Sequence, residues 1–115
     1  MKACYKLWLE SEDGTFILGE GTAELLHAIE KKGTLSEAAR LLNISYAHAW
    51  RKIRDMEKNS GKQIVERMKG GKTGGSSELT PEGKTLLEQY DRLKDSIETV
   101  LTLNPYLGSS ERVKI

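Results

Sequence analysis

A mainly α-helical fold with a small β component is what the sequence predicts, and three observations predict it. The stretch Ser36 to Ser60 holds two helix starts nine residues apart, with only Leu42-Asn43-Ile44 between them for a turn. Gln63 to Arg67 and Glu78-Leu79 read as strands flanking a loop rich in glycine and lysine. Thr80-Pro81-Glu82 then opens a long helix: a cap, a proline at the first helical position and an acid at the positive end of the dipole. Two crossed helices, a hairpin beside them and a long closing helix make a winged helix-turn-helix. With 115 residues there is room for one compact domain.

Taken in order, residues 5–9 (Tyr-Lys-Leu-Trp-Leu) and 16–18 (Phe-Ile-Leu) are expected to form an N-terminal β-hairpin, with Asp13-Gly14 as its turn. Trp8 and Phe16 are expected to cover the core under that hairpin. Gly19 and Gly21 break the strand. Thr22 then caps a helix carrying Leu25, Leu26 and Ile29 at helical spacing, and Gly33 stops it. His27 lies off that apolar face and reads as solvated. In the central unit Ser36 and Ser45 are the expected N-caps, each satisfying an orphan backbone N–H. Leu35, Ala39 and Leu42 form the inner face of the first helix, and Ala49, Ile53 and Met56 that of the second. Ala38, Ala39 and Ala49 let the two backbones approach closely.

The opposite face carries the function. At about 100° per residue, Ala47, Arg51, Arg54 and Lys58 point away from the Ala49/Ile53/Met56 core. A helix with small residues near its start and cations along its outer face suits a groove lined by phosphates. There Arg reaches guanine edges and Lys neutralises backbone charge. Taken alone, such a face could equally be a solvated basic surface; the tight two-helix unit and the wing favour nucleic acid. Net charge is only +1, yet its distribution is uneven. Residues 45–75 carry eight cations against three acids, while residues 78–101 carry six acids against three cations. One surface therefore suits a polyanion and another does not. In the wing, four glycines permit close approach of the backbone, and Lys69 and Lys72 supply charge. Gly71-Lys72-Thr73 matches the end of a phosphate-binding P-loop, but Glu66 stands where that motif needs glycine and Gly-Gly-Ser-Ser follows where it needs a helix. A nucleotide site is rejected.

The last helix should run to about Leu101, some 30 Å at 1.5 Å per residue. Leu86, Tyr90, Leu93, Ile97 and Val100 repeat as four, three, four, three, the seam of a coiled coil. A helix of this length outreaches its domain, so a homodimer contact is favoured over packing on the chain itself. The domain is thus expected over residues 1–101, with helix 80–101 as its linking and dimerisation element and 102–115 as a tail, either linker or frayed end. No apolar run reaches a membrane span, and the start has no signal-peptide core, so a cytoplasmic setting is the default. The single Cys4 and the two histidines, His27 and His48, supply neither a disulfide nor a metal-ligand set, and no catalytic constellation appears. No cofactor and no enzyme activity are expected.

The run from Gly33 to Trp50, with Ile44-Ser45-Tyr46 and Ala49-Trp50, resembles the helix-turn-helix of the ModE family of bacterial and archaeal molybdate-responsive regulators. Val65 to Gly83, with Gly-Gly-Lys-Thr-Gly-Gly at 70–75, resembles that family's wing and the start of its linking helix. LysR-type regulators share Ala38-Ala39, Ile44-Ser45 and Leu79-Thr80. The resemblance covers residues 5–101. It implies a winged helix-turn-helix that dimerises through its long helices and binds a roughly palindromic operator in double-stranded DNA. In that family oxyanion-binding domains follow the long helix. This sequence ends fourteen residues past Leu101, so no molybdate site is expected within it.

The expected roles are then these. Arg51 and Arg54, with Tyr46, Ala47 and His48 at the helix start, read the major groove. Lys58, Lys69 and Lys72 contact phosphates, and Ser36 and Ser45 offer hydroxyls or helix N-terminal N–H groups to the DNA backbone. The competing reading is a protein-interaction adaptor, since winged helices also serve that purpose.

Overall fold

A computed structural model describes residues 2–68 and 75–104. Four helices and two hairpins follow one another: β1 (Leu9–Glu10), β2 (Phe16–Leu18), α1 (Glu20–Lys32), α2 (Leu35–Leu41), α3 (Tyr46–Ser60), β3 (Val65–Met68), β4 (Ser76–Leu79) and α4 (Pro81–Leu103). Each hairpin is its own two-stranded antiparallel sheet. The architecture is a winged helix-turn-helix.

Leu25, Leu26 and Ile29 of α1, Leu35, Ala38 and Ala39 of α2, and Ala49, Ile53 and Met56 of α3 form one buried cluster. Ile64, Leu79, Leu87 and Tyr90 close it from the wing and from α4. Ala38, Ala39 and Ala49 are buried in the cluster that α1, α2 and α3 share, and a larger side chain at any of them would have to displace a neighbour. The turn between those helices is a Schellman motif. The Ile44 N–H donates to the Ala39 carbonyl (3.0 Å) and the Asn43 N–H to that of Arg40 (3.1 Å). Asn43 takes the left-handed conformation this requires, at φ 57°.

Several details differ from expectation. The α2 cap is Thr34, whose hydroxyl accepts from the Glu37 N–H (3.0 Å), and Ser36 lies inside the helix. Thr34 is placed three residues before an acid, the spacing of a capping box, while Ser36 has no such relation. Likewise α1 begins one residue after Gly19. Thr22 is its third residue, and the Thr22 hydroxyl reaches back to accept from the Gly19 N–H (2.8 Å). Gly33 stops α1 as expected, at φ 79°.

Among the described residues, 5–8 pair with no strand, and only Leu9 and Glu10 join β2, through an irregular register. The earlier residues are drawn to α4 instead. The Tyr90 hydroxyl donates to the Leu7 carbonyl (3.2 Å), and the Tyr5 hydroxyl to Glu98 (2.7 Å). Trp8 and Phe16 do not cover the core; they are 43% and 47% exposed. Trp8 faces out because alternation along the segment turns Leu7 and Leu9 inward. Its indole N–H donates to Glu10 (2.7 Å). At the hairpin turn, hydrogen bonds from the Ser11 hydroxyl, and then from Thr15, hold the Asp13 carboxyl below its ordinary pKa.

The junction of α3 with the wing is built on Glu57. Its carboxylate accepts from the backbone N–H groups of Ile64 (2.9 Å) and Val65 (3.2 Å), just beyond the Gly61 cap of α3. Glu57→Ala is expected to cost about 2 kcal/mol, since two charge-assisted hydrogen bonds are lost and their donors stranded. Glu57→Gln should recover part of that loss, and urea denaturation of the two variants would measure it. Equal stability of Glu57→Ala and the parent would contradict this account.

Candidate nucleic-acid interface

The reading face is presented by α3. Ser45 is its N-cap, as expected, and its hydroxyl accepts from the His48 N–H at 3.0 Å. That bond occupies one acceptor site of the hydroxyl, and the O–H itself remains available to a phosphate oxygen. Ala49, Ile53 and Met56 are buried at 0–1% exposure, which fixes the rotation of the helix about its axis. With that rotation set, Tyr46, Ala47, His48, Arg51, Arg54 and Lys58 all lie on the exposed side. Among the described residues no acidic side chain pairs with Arg51, Arg54 or Lys58. Of the two acids on α3, Glu57 is committed to the backbone of the wing junction, and Asp55 is exposed and makes no ion pair among the described residues.

Ser36 is exposed in the first turn of α2 and lines a cleft of about 510 Å³ together with Thr34, Leu35, Tyr46, Arg67 and Met68. The cleft opens between the starts of α2 and α3 and the strands of the wing. Lys69 and Lys72, assigned to phosphate contact from sequence, lie outside the described residues. The wing strands are in register from Val65↔Leu79 to Met68↔Ser76, so β4 begins two residues earlier than expected.

Arg67 was not foreseen as a member of the site. It stands on β3, with its guanidinium 4.1 Å from the centroid of the Trp50 ring and 5.8 Å from that of Tyr46. The same group donates a hydrogen bond to the Tyr46 hydroxyl. The available signal was Tyr46 and Trp50 at a spacing of four, which stacks two aromatic rings on one helix edge and invites a planar cation.

Away from this face, α4 divides its apolar residues between two uses. Tyr90, expected in an intermolecular seam, is 2% exposed and belongs to the domain's own core. Leu86, also expected in that seam, is half-buried and packs against the same core; Ile97 is half-buried, whereas Leu93 (47%), Val100 (68%) and Leu103 (75%) face outward. His27 is also less solitary than expected. Its Nε2 lies 2.9 Å from Asp91 and its Nδ1 3.9 Å from Glu30, tying α1 to α4. No group of three or more potential metal ligands occurs among the described residues. No described helix is long and apolar enough to cross a membrane.

A winged helix-turn-helix with an uncovered basic helix is the architecture of bacterial regulatory proteins of this type. The family described as bacterial regulatory helix-turn-helix proteins of the lysR family matches residues 22–84. The chain belongs to that family. It is also ModE-like. It is 45% identical over 69 residues to the transcriptional regulator ModE of Yersinia pestis, covering 60% of this chain and 26% of that protein. To the DNA-binding transcriptional dual regulator ModE of Escherichia coli K12 it is 35% identical over 100 residues, covering 79% of this chain and 38% of that one. The chain thus spans well under half the length of these curated relatives.

Among solved structures, DarR of Vibrio fischeri in complex with DNA is 29% identical, with a TM-score of 0.55 over 75% of this chain and 28% of that one. The BenM DNA-binding domain on its benA site 1 DNA is 21% identical, with a TM-score of 0.57 over 79% of this chain and 97% of that one. The latter likeness shows the fold alone.

Proposed function

We propose that the chain is a cytoplasmic transcriptional regulator, or the DNA-reading part of one, that binds a pseudo-palindromic operator in double-stranded DNA as a homodimer. The observation that carries this reading is the outer face of α3, where Arg51, Arg54 and Lys58 stand exposed and free of acidic partners among the described residues. Support comes from the ModE relatives and from the DNA complexes of like fold.

In this reading Arg51 and Arg54, with Tyr46, Ala47 and His48, meet base edges in the major groove. Lys58 and the wing lysines Lys69 and Lys72 contact phosphates, as do Ser36 and Ser45. Residues 1–101 act as the DNA-binding domain. The stripe formed by Leu93, Ile97 and Val100 on α4 meets the same stripe of a second copy. No catalytic role, cofactor or molybdate site is assigned to these 115 residues.

Selection of bound sequences from random duplex DNA is the direct test. Enrichment of an inverted repeat is expected. Arg51→Ala should then cost about 1–3 kcal/mol on the selected sequence and relax preference at one base position in each half-site. A variant as tight and as selective as the parent would mean that another face reads the DNA.

A further inference from the structure

Arg67 does something different from the other cations of the basic segment. Arg51, Arg54 and Lys58 project from α3 with no acidic partner among the described residues, while the Arg67 guanidinium lies over Trp50 and donates to the Tyr46 hydroxyl. Tyr46 and Trp50 belong to the first two turns of the reading helix, and Arg67 belongs to a wing strand. One planar cation therefore joins the two elements that straddle the 510 Å³ cleft. The join uses the shape of the group as well as its charge. Stacking on an indole and an in-plane N–H to a hydroxyl at the same time require a guanidinium, and an ammonium group offers no such plane. Trp50 is half-buried beside it, so stacking also shields the exposed part of the indole.

We propose that Arg67 is a positioning residue for DNA reading: it clamps β3 to the start of α3, fixing the Tyr46 hydroxyl and the angle between wing and reading helix, without itself contacting DNA. The proposal rests on the DNA-binding reading above. Its consequence is that Arg67 governs selectivity more than attraction. Attraction to any duplex follows from the number of phosphates neutralised, whereas base readout depends on how the helix is held against the groove.

The test uses Arg67→Lys and Tyr46→Phe in a Trp8→Phe background, where Trp50 is the one remaining tryptophan of the original two. Arg67→Lys keeps the charge and removes the plane. In the free protein it should change the fluorescence emission of Trp50. On the selected operator it should lower affinity by about tenfold or more, the weight of one lost stacked cation and one hydrogen bond. Affinity for random duplex and the slope of log affinity against log salt should stay as in the parent. Tyr46→Phe should also lower operator affinity, and the double variant should lose less than the sum of the two single losses, because the Tyr46 hydroxyl is presented to the DNA through its bond to Arg67.

Parent-like operator affinity in Arg67→Lys would overturn the proposal. So would an Arg67→Ala variant weakened equally on operator and random DNA with a salt slope shallower by about 1, the behaviour of a phosphate contact. A parent chain that binds no duplex would instead overturn the DNA-binding reading, and this inference with it.

Discussion

Gly83→Ala is expected to destabilise the domain by about 2 kcal/mol, opposite in sign to the usual gain of about 1 kcal/mol for replacing a glycine inside a helix. The reason is contact, not conformation. Gly83 is the third residue of α4, and a Cβ placed there would overlap the carbonyl oxygen of Ile64 and come within 3.1 Å of its Cγ2. That carbonyl cannot retreat easily, because it accepts the Thr80 N–H at 2.9 Å. The Thr80 hydroxyl, itself donating to the Gln63 carbonyl (2.6 Å), caps α4 by accepting the Gly83 N–H (3.0 Å). Any shift that relieves the overlap therefore disturbs the cap as well. For a domain of this size the loss should lower the melting temperature by roughly 10 °C. Thermal melting of Gly83→Ala measures it, and a melting point at or above that of the parent would refute the close-approach account.

The second large effect concerns assembly. Leu93→Asp should convert a dimer into a folded monomer, raising the dissociation constant at least a hundredfold or so, because each copy would bury an unpaired carboxylate in the contact. The position is chosen for its exposure. Leu93 is 47% exposed in the single chain, so an aspartate there costs the isolated domain little, whereas Tyr90 in the same heptad pattern is 2% exposed and its replacement would open the domain's own core. Light scattering should report half the parent mass with the helical circular dichroism intact. Binding to a two-half-site operator should fall with it, since each monomer then meets only one half-site. A parent that is monomeric at micromolar concentration would remove the basis for the dimer and for the inverted repeat.

Much of this architecture was legible in the sequence, and the failures have physical causes. The turn of three residues, the Ser45 cap, the Gly33 stop and the Thr80-Pro81 start all rest on local chemistry, where a residue and its neighbours within one turn decide the outcome. Ser36 has the chemistry of a cap, but Thr34, two residues earlier, offers the same hydroxyl at the better spacing from Glu37 and takes the role. What periodicity could not resolve was competition between partners for one apolar stripe. The spacing of Leu86, Tyr90, Leu93, Ile97 and Val100 marks a helix face, but not which of those side chains the chain's own N-terminal segment would claim. Leu7 claims Tyr90. The strand expected over residues 5–9 failed for the same reason, since α4 offered those residues hydrogen-bond partners that β2 did not. Arg67 and the His27–Asp91 pair escaped notice because each joins elements far apart in sequence, at separations of 17 to 21 and of 64 residues, that only the folded chain brings together.

The missing side chain at Gly83 fixes where α4 leaves the wing junction, and Leu87, Tyr90 and the His27–Asp91 pair hold its next turns against the domain. Twelve residues of helix extend beyond Asp91 to Leu103, about 18 Å at 1.5 Å per residue. A tilt of 10° at that point would sweep the far end through about 3 Å, roughly the rise of one base pair along a duplex. The hydroxyl of Tyr5 on Glu98 acts as a stay on this outer arm. In the proposed dimer, joined along the outer stripe, the distance between the two reading helices would depend on how stiffly that arm is held. Half-site spacing in the proposed operator would then be measured out by α4 rather than by the reading face.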